Sequence, residues 1–359
     1  MKSNIMEWKN VLTDLFKTDY PIIQAPMLGV TTPEMVAAAS NAGVLGSLAL
    51  GDLPAEKCIE LIRTTKKLTN KPFAVNIFVH TIDPITPKLE ADYAKTKNHL
   101  EKFAEKTGIK ADFPNINEIK LTDYHNQIEA IVLENCNIVS FTFGNLDNES
   151  ILTLKENKVL LIGTCTSVQE AIALENNGID IICVQGIEAG GHRGSFIEET
   201  IPQIGGLSLL SQVTETVNTP VIYAGGIYNA KTLLASKTLG ADGFQIGSLL
   251  LGSAESALQD FEKHRLRNLK ENEIVLTKSF TGRYARGIRN AFIKEIENSE
   301  FVLPYPYQNK LTAELRKTAK LEQKTDFVSI WAGQSIGSYS EVSTEIIIRN
   351  LIEETESFV

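Results

Sequence analysis

Short, continuously apolar runs recur along this chain, and most are followed by a turn and a segment with helical spacing. The runs are Pro21–Pro26, Val44–Leu48, Pro72–Val79, Ile138–Phe141, Val159–Ile162, Ile181–Val184, Pro220–Tyr223 and Gly243–Ile246. A strand with one wet face alternates apolar and polar residues. An unbroken apolar run is what a parallel strand needs when helices cover both of its faces. Between the runs, Thr32–Gly43 reads as a helix with a Thr cap, an early Pro33 and a terminating Gly43. Strand and helix signals in alternation predict a parallel α/β architecture. Eight such units favour closure into a TIM (β/α)₈ barrel over an open sheet.

The beat is broken twice. Pro87–Lys110 is lysine-rich with surface-helix spacing, and Asn115–Glu134 continues in that style. This predicts an insertion after strand three, about residues 85–134. Beyond Leu266 the strand pattern stops. Residues 267–359 hold helical patterns and the proline- and tyrosine-rich loop Pro304–Gln308. They are expected to form a mostly helical extension packed on a barrel made by residues 1–266. At 359 residues and 43% hydrophobic, the chain can bury a core of that size.

Other classes of function are disfavoured. The formal net charge is −9 and no arginine–lysine cluster of useful size is present, which argues against nucleic acid. No apolar stretch is long enough for a bilayer, and the N-terminus lacks a signal-peptide pattern, so a cytoplasmic monomer or homodimer with no membrane partner is expected. Cys58, Cys136, Cys165 and Cys183 sit in or beside apolar runs without CxxC spacing and read as buried hydrophobes. The five histidines, His80, His99, His125, His192 and His264, show no metal-ligand spacing, so no metal is expected. GxSxG and GxGxxG signatures are absent as well.

The segment Gln185–Gly194 (QGIEAGGHRG) leaves strand six directly. Barrel active sites are built from loops at the C-terminal ends of strands. Glycines there let backbone approach a bound ring or phosphate, and His192 is a group able to donate a hydrogen bond or take a proton. A flexible turn with a solvent-facing histidine is the competing reading. Ala224–Ile227 (AGGI) follows strand seven and Gln245–Ser248 (QIGS) follows strand eight. Loops in those two positions often hold a phosphate in barrels, which suits FMN better than a dinucleotide. After strand one, Ala25 and Met27 could pack on a flat ring while Pro26 and Gly29 shape the loop. Asn76 in strand three and Gln185 at the end of strand six are carboxamides needing partners. A flavin edge or a structural network would satisfy them equally.

The stretches Pro21–Met27 (PIIQAPM), Ala74–Phe78 (AVNIF), Gly186–Gly194 (GIEAGGHRG), Ala224–Ile227, Gln245–Ser248, Phe280–Phe292 (FTGRYARGIRNAF) and Trp331–Gln334 (WAGQ) resemble the class I nitronate monooxygenases, formerly 2-nitropropane dioxygenases. That family is similar to the flavin-dependent enoyl-acyl-carrier-protein reductases. The resemblance implies an FMN-containing barrel that oxidises alkyl nitronates, such as propionate 3-nitronate, with O₂ to a carbonyl compound and nitrite. It implies that His192 is the active-site histidine and that Asn76 and Gln185 bond the isoalloxazine. It also implies that Gly190, with its neighbour Gly191, admits the ring, and that Gly225, Gly226, Gln245, Ile246, Gly247 and Ser248 hold the phosphate. Some members carry a second histidine in the loop after strand four, where this chain has Thr142 within Phe141–Gly144 (FTFG). That moves the expected substrate toward the preformed nitronate. An enoyl reductase and a non-catalytic flavin-binding scaffold are the alternatives.

Overall fold

All eight apolar runs become parallel strands of one sheet, in a computed structural model that describes residues 6–198, 200–337 and 339–358. In chain order the strands are β1 (Ile22–Gln24), β2 (Gly46–Gly51), β3 (Phe73–Phe78), β4 (Ile138–Thr142), β5 (Leu160–Cys165), β6 (Ile181–Gln185), β7 (Gly191–His192), β8 (Val221–Ala224), β9 (Gly243–Ile246), β10 (Ile274–Thr277) and β11 (Ala285–Ile288). The large sheet runs β1-β9-β8-β6-β5-β4-β3-β2. Its two ends meet through a parallel bridge between Ile23 and Leu45. There the Gln24 N–H donates to the Leu45 carbonyl and the Leu45 N–H to the Ile22 carbonyl, both at 2.9 Å. The sheet therefore closes into a barrel and no edge is left to cover.

Local signals explain the helices around it. Helix Pro33–Asn41 starts where the Thr32 hydroxyl accepts from the Met35 N–H at 3.0 Å, with proline in its first turn. The same hydroxyl donates to the Glu255 carbonyl at 2.8 Å, so the cap also ties this helix to a distant loop. Asp147, Ser167 and Asn229 cap later helices of the ring in the same manner.

The interrupting segments are distributed differently from their order in sequence. Helix Tyr124–Leu133 packs on helix Ala55–Leu68 and on β3, so it serves as the ring helix between β3 and β4. Only the part before it stands outside the barrel. In that part, helix Pro87–Thr107 buries Leu89, Tyr93, Leu100 and Phe103 in a second core shared with Phe280, Phe292, Tyr307 and Phe327 of the C-terminal region. The final helix, Thr344–Ser357, returns to the barrel and buries Ile347, Ile348, Leu351 and Ile352 in the main core. The C-terminal region also contributes β10 and β11, which pair antiparallel with each other, and β11 pairs antiparallel with β7. Two-residue β7 lies inside a glycine-rich loop and carries no strand signal of its own. The small sheet exists because a neighbouring segment offers it hydrogen bonds.

Candidate active site

A cavity of about 500 Å³ opens at the C-terminal ends of the barrel strands and runs beneath the C-terminal region. That volume lies within the range of small-molecule and cofactor sites. Ala25, Pro26 and Met27 line it from the loop after β1, and Asn76 from β3. Gln185 lines it from the end of β6, with Gly190, Gly191 and His192 from the following loop. Gly225 and Gly226 after β8, and Gln245, Gly247 and Ser248 at the end of β9, complete the wall. Ile246 is not part of it. Its side chain is fully buried in the barrel core, and its carbonyl accepts from the Ala25 N–H at 2.8 Å. Strand alternation explains this, since the neighbours Gln245 and Gly247 face the cavity and Ile246 points the other way.

The loop after β6 is held rigidly. Gln185 spends both ends of its amide on that loop, Nε2 donating to the His192 carbonyl at 2.9 Å and Oε1 accepting from the Gly194 N–H at 3.0 Å. Arg193, 1% exposed, turns inward and donates to the carbonyls of Gly186 and Gln185 at 2.6 and 3.0 Å. Glu188 receives the Tyr223 hydroxyl at 2.5 Å and the Gly206 N–H at 3.0 Å. From the C-terminal region, Arg286 donates to the Ile187 carbonyl at 2.9 Å, while Arg283 donates to Ser195 and lies 4.2 Å from the Phe143 ring centroid. These bonds tie the loop to its neighbours, and the His192 side chain lines the cavity.

The two loop glycines do different work. A Cβ on Gly190 would sit 2.5 Å from the Gly333 nitrogen, so what approaches closely there is the backbone of the Trp331–Gln334 segment. Gly191 has a φ of +75° and open space where its Cβ would be. Beside that loop, Gly225 and Gly226 have φ values of +125° and +71°, a left-handed turn packed against Glu188 and Ala189 with Ser335 next to it. The Ser248 hydroxyl accepts from the Gly333 N–H at 2.9 Å, and Ser335 donates to the Gly226 carbonyl at 3.1 Å.

His192 sits in an aromatic frame. Its ring centroid is 5.4 Å from Trp331, 5.6 Å from Phe143 and 6.5 Å from Phe78. Its Nε2 is 2.9 Å from the Thr281 hydroxyl. Burial, reinforced by the positive charges of Arg283 and Arg316, pushes the imidazole down to about 3, so it is neutral at pH 7. The unfolded chain would bind a proton at this histidine from about pH 6.5 downward, and the folded chain would not. Stability carried by the neutral ring is therefore complete above pH 6.5 and falls as pH drops from 6.5 toward 3. Replacing His192 by Gln should flatten the melting temperature against pH in that window, a result that thermal scans of both proteins would check.

Further lining residues are not assigned to the site from the sequence, although Thr142 and Phe143 fall in the FTFG stretch and Trp331 and Gly333 in the WAGQ stretch. Thr142 ends β4 and Phe143 follows it; Tyr305, Arg316, Trp331, Gly333 and Ser335 come from the C-terminal region. Their positions depend on how that region folds back over the barrel mouth. Among the described residues no group of three or more His, Cys, Asp or Glu converges as a metal site, and no helix is long and apolar enough to cross a membrane.

A closed parallel barrel with one deep pocket over its strand ends, walled by glycine turns and an enclosed histidine, defines the class as a barrel enzyme. The nitronate monooxygenase family model matches residues 9–354. A probable nitronate monooxygenase of Staphylococcus saprophyticus subsp. saprophyticus is 38% identical over 359 residues, covering 99% of each chain. One from Staphylococcus aureus is 38% identical over 351 residues, covering 96% of this chain and 97% of its own. Among solved structures, a nitroalkane oxidase from Streptomyces ansochromogenes aligns with a TM-score of 0.87 at 33% identity, covering 97% of this chain and 98% of that one. FabK from Thermotoga maritima aligns at 0.75 and 26% identity, covering 98% and 97%. The chain belongs to the nitronate monooxygenase family.

Proposed function

We propose that this protein is an FMN-dependent nitronate monooxygenase that oxidises alkyl nitronates with O₂ to a carbonyl compound and nitrite. The observation that carries the proposal is a neutral, enclosed His192 facing the same cavity as the left-handed Gly225–Gly226 turn suited to a phosphate. The donor set fits FMN. Gly225 and Gly226 present left-handed backbone of the kind that cradles a phosphate, with Ser335 next to it and Ser248 lining the same cavity. Gly191 leaves room against a flat ring, and Ala25 and Met27 supply apolar contact. Asn76 donates to the Ser140 hydroxyl at 2.9 Å and keeps its remaining amide hydrogen and its oxygen for a ring edge. Gln185 shapes the histidine loop and has one amide hydrogen to spare.

FMN when bound would supply the one-electron chemistry that links the nitronate to O₂. The chain's own residues bind and orient. In the tautomer in which Nε2 accepts from the Thr281 hydroxyl, turned from the Arg283 carbonyl, Nδ1–H of His192 would donate to a nitronate oxygen, fixing the anion without transferring a proton. A nitronate is already deprotonated at carbon, so no general base is required at the position of Thr142. The frame of Phe143, Trp331 and Phe78 keeps water from competing for that hydrogen bond.

Purified protein should show a bound-flavin spectrum, consume O₂ and release nitrite with propionate 3-nitronate or ethyl nitronate. A colourless protein that gains no flavin on incubation with FMN sinks the proposal. Oxidation of NADPH with an enoyl thioester, without nitronate oxidation, replaces it with the reductase reading.

A further inference from the structure

The cavity continues under the C-terminal region, where helix Ala313–Leu321 forms its wall. Arg316 of that helix lines it. The Arg316 Nη2 donates to the backbone carbonyl and the side-chain oxygen of Asn309, both at 2.7 Å and both neutral acceptors. Its Nε is buried without a partner. Among the described residues no carboxylate pairs with it. Asp52 is taken by Lys310 at 2.7 Å, and Glu262 by Lys320 at 2.9 Å. The hydroxyl of Tyr305, another lining residue, is also buried without a partner.

The charged lining side chains are Glu262, Arg316, Lys317 and Lys320, an excess of positive charge in a chain whose formal net charge is −9. A buried guanidinium without a counter-ion is destabilising, and so is a buried hydroxyl without a partner. Both deficits are met by one kind of occupant, an anion with oxygen acceptors.

We propose that Arg316, supported by Tyr305, forms an oxyanion subsite that takes a planar two-oxygen anion of the substrate and makes the enzyme select charged over neutral molecules. A nitronate and a carboxylate share that shape and charge, and a guanidinium suits either. The inference rests on the nitronate-oxidising reading for its substrate, and not for the chemistry of the subsite. The charge of Arg316 is felt at His192, where it opposes protonation. Both groups line the same cavity.

The test compares the wild type with Arg316→Met, Arg316→Lys and Tyr305→Phe, all as flavin-loaded protein. Steady-state kinetics use ethyl nitronate, with one anionic group, and propionate 3-nitronate, with two. Arg316→Met should lower kcat/KM by roughly 30-fold or more, mostly through KM, and Arg316→Lys should restore part of the loss. Tyr305→Phe should give a smaller loss in the same direction. An equal loss on both substrates assigns the subsite to the nitronate itself. Loss on propionate 3-nitronate alone assigns it to a carboxylate on the tail.

A second readout needs no turnover. Tryptophan emission, with Trp331 in the cavity wall, is titrated with 3-nitropropionate and with neutral 3-nitro-1-propanol. The wild type should bind the anion at least tenfold more tightly, and Arg316→Met should abolish that preference. Unchanged preference and unchanged kcat/KM in Arg316→Met overturn the inference. So does an equal loss in Arg316→Lys and Arg316→Met accompanied by a lower melting temperature, which would place Arg316 in the Asn309 turn alone. A wild type that binds the anion selectively yet oxidises no nitronate would instead defeat the functional reading and leave the subsite standing.

Discussion

Replacing His192 by Ala should lower turnover of alkyl nitronates by roughly 100-fold or more while flavin stays bound. The imidazole is enclosed by Trp331, Phe143 and Phe78, so the hydrogen bond it offers acts where water does not compete. None of the polar contacts that hold the loop uses its side chain. Gln185 grips the backbone carbonyl of His192, Arg193 grips the carbonyls before it, and the side chain is tethered only by Thr281. The loop should therefore keep its shape in the variant. Nitrite release and O₂ uptake measure the first part of the expectation, and the flavin-to-protein absorbance ratio measures the second. A turnover within threefold of wild type would remove His192 from the chemistry. A large loss of flavin would assign it to cofactor binding instead.

Replacing Glu170 by Ala should destabilise the protein by about 3–5 kcal/mol. This carboxylate is fully buried on helix Val168–Asn176 and joins that helix to the far end of the histidine loop. One oxygen accepts from the Thr166 N–H at 2.6 Å and from its hydroxyl at 2.8 Å. The other accepts from the N–H groups of Phe196 and Ile197 at 2.6 and 3.2 Å. Alanine would take the partner from three backbone donors, the buried Thr166 N–H and the part-buried N–H groups of Phe196 and Ile197, and each donor left unsatisfied in the interior costs about 1–3 kcal/mol. Glutamine keeps the shape but sets an amide N–H against donors on one side, so it should recover only part of the loss. Melting temperatures of the three proteins at one pH decide the matter. A drop of less than a degree in Glu170→Ala would mean that water replaces the carboxylate at that site.

The barrel was legible because its demands are local and repeated. Each strand buried on both faces must be apolar throughout, and all eight such runs became β1 to β6, β8 and β9. The pocket end was legible for a related reason. Glycines are needed where backbone turns left-handed, and they stand at Gly191, Gly225 and Gly226 as residues of the cavity wall. Ile246 was grouped with its neighbours by sequence position, and strand alternation sends it to the core instead. Gly190 carries the same signature as Gly191, yet the space it leaves is filled by backbone of residues 332 and 333. Composition can mark a position where a side chain is forbidden, and it cannot say what comes close.

By itself, then, the sequence determined the parallel barrel, the strand ends where a site can form and the single histidine in the loop after β6. These follow from burial periodicity and backbone sterics, which act within a few residues. Only the tertiary structure decided that this loop is a rigid third strand beside β11, that its glycines divide between chain and cavity, and that Arg316 and Tyr305 reach the pocket. Those outcomes depend on contacts between segments about a hundred residues apart, made when the C-terminal region packs over the barrel mouth. The hydrogen-bonding and charge balance of such contacts leaves no periodic trace in either segment alone.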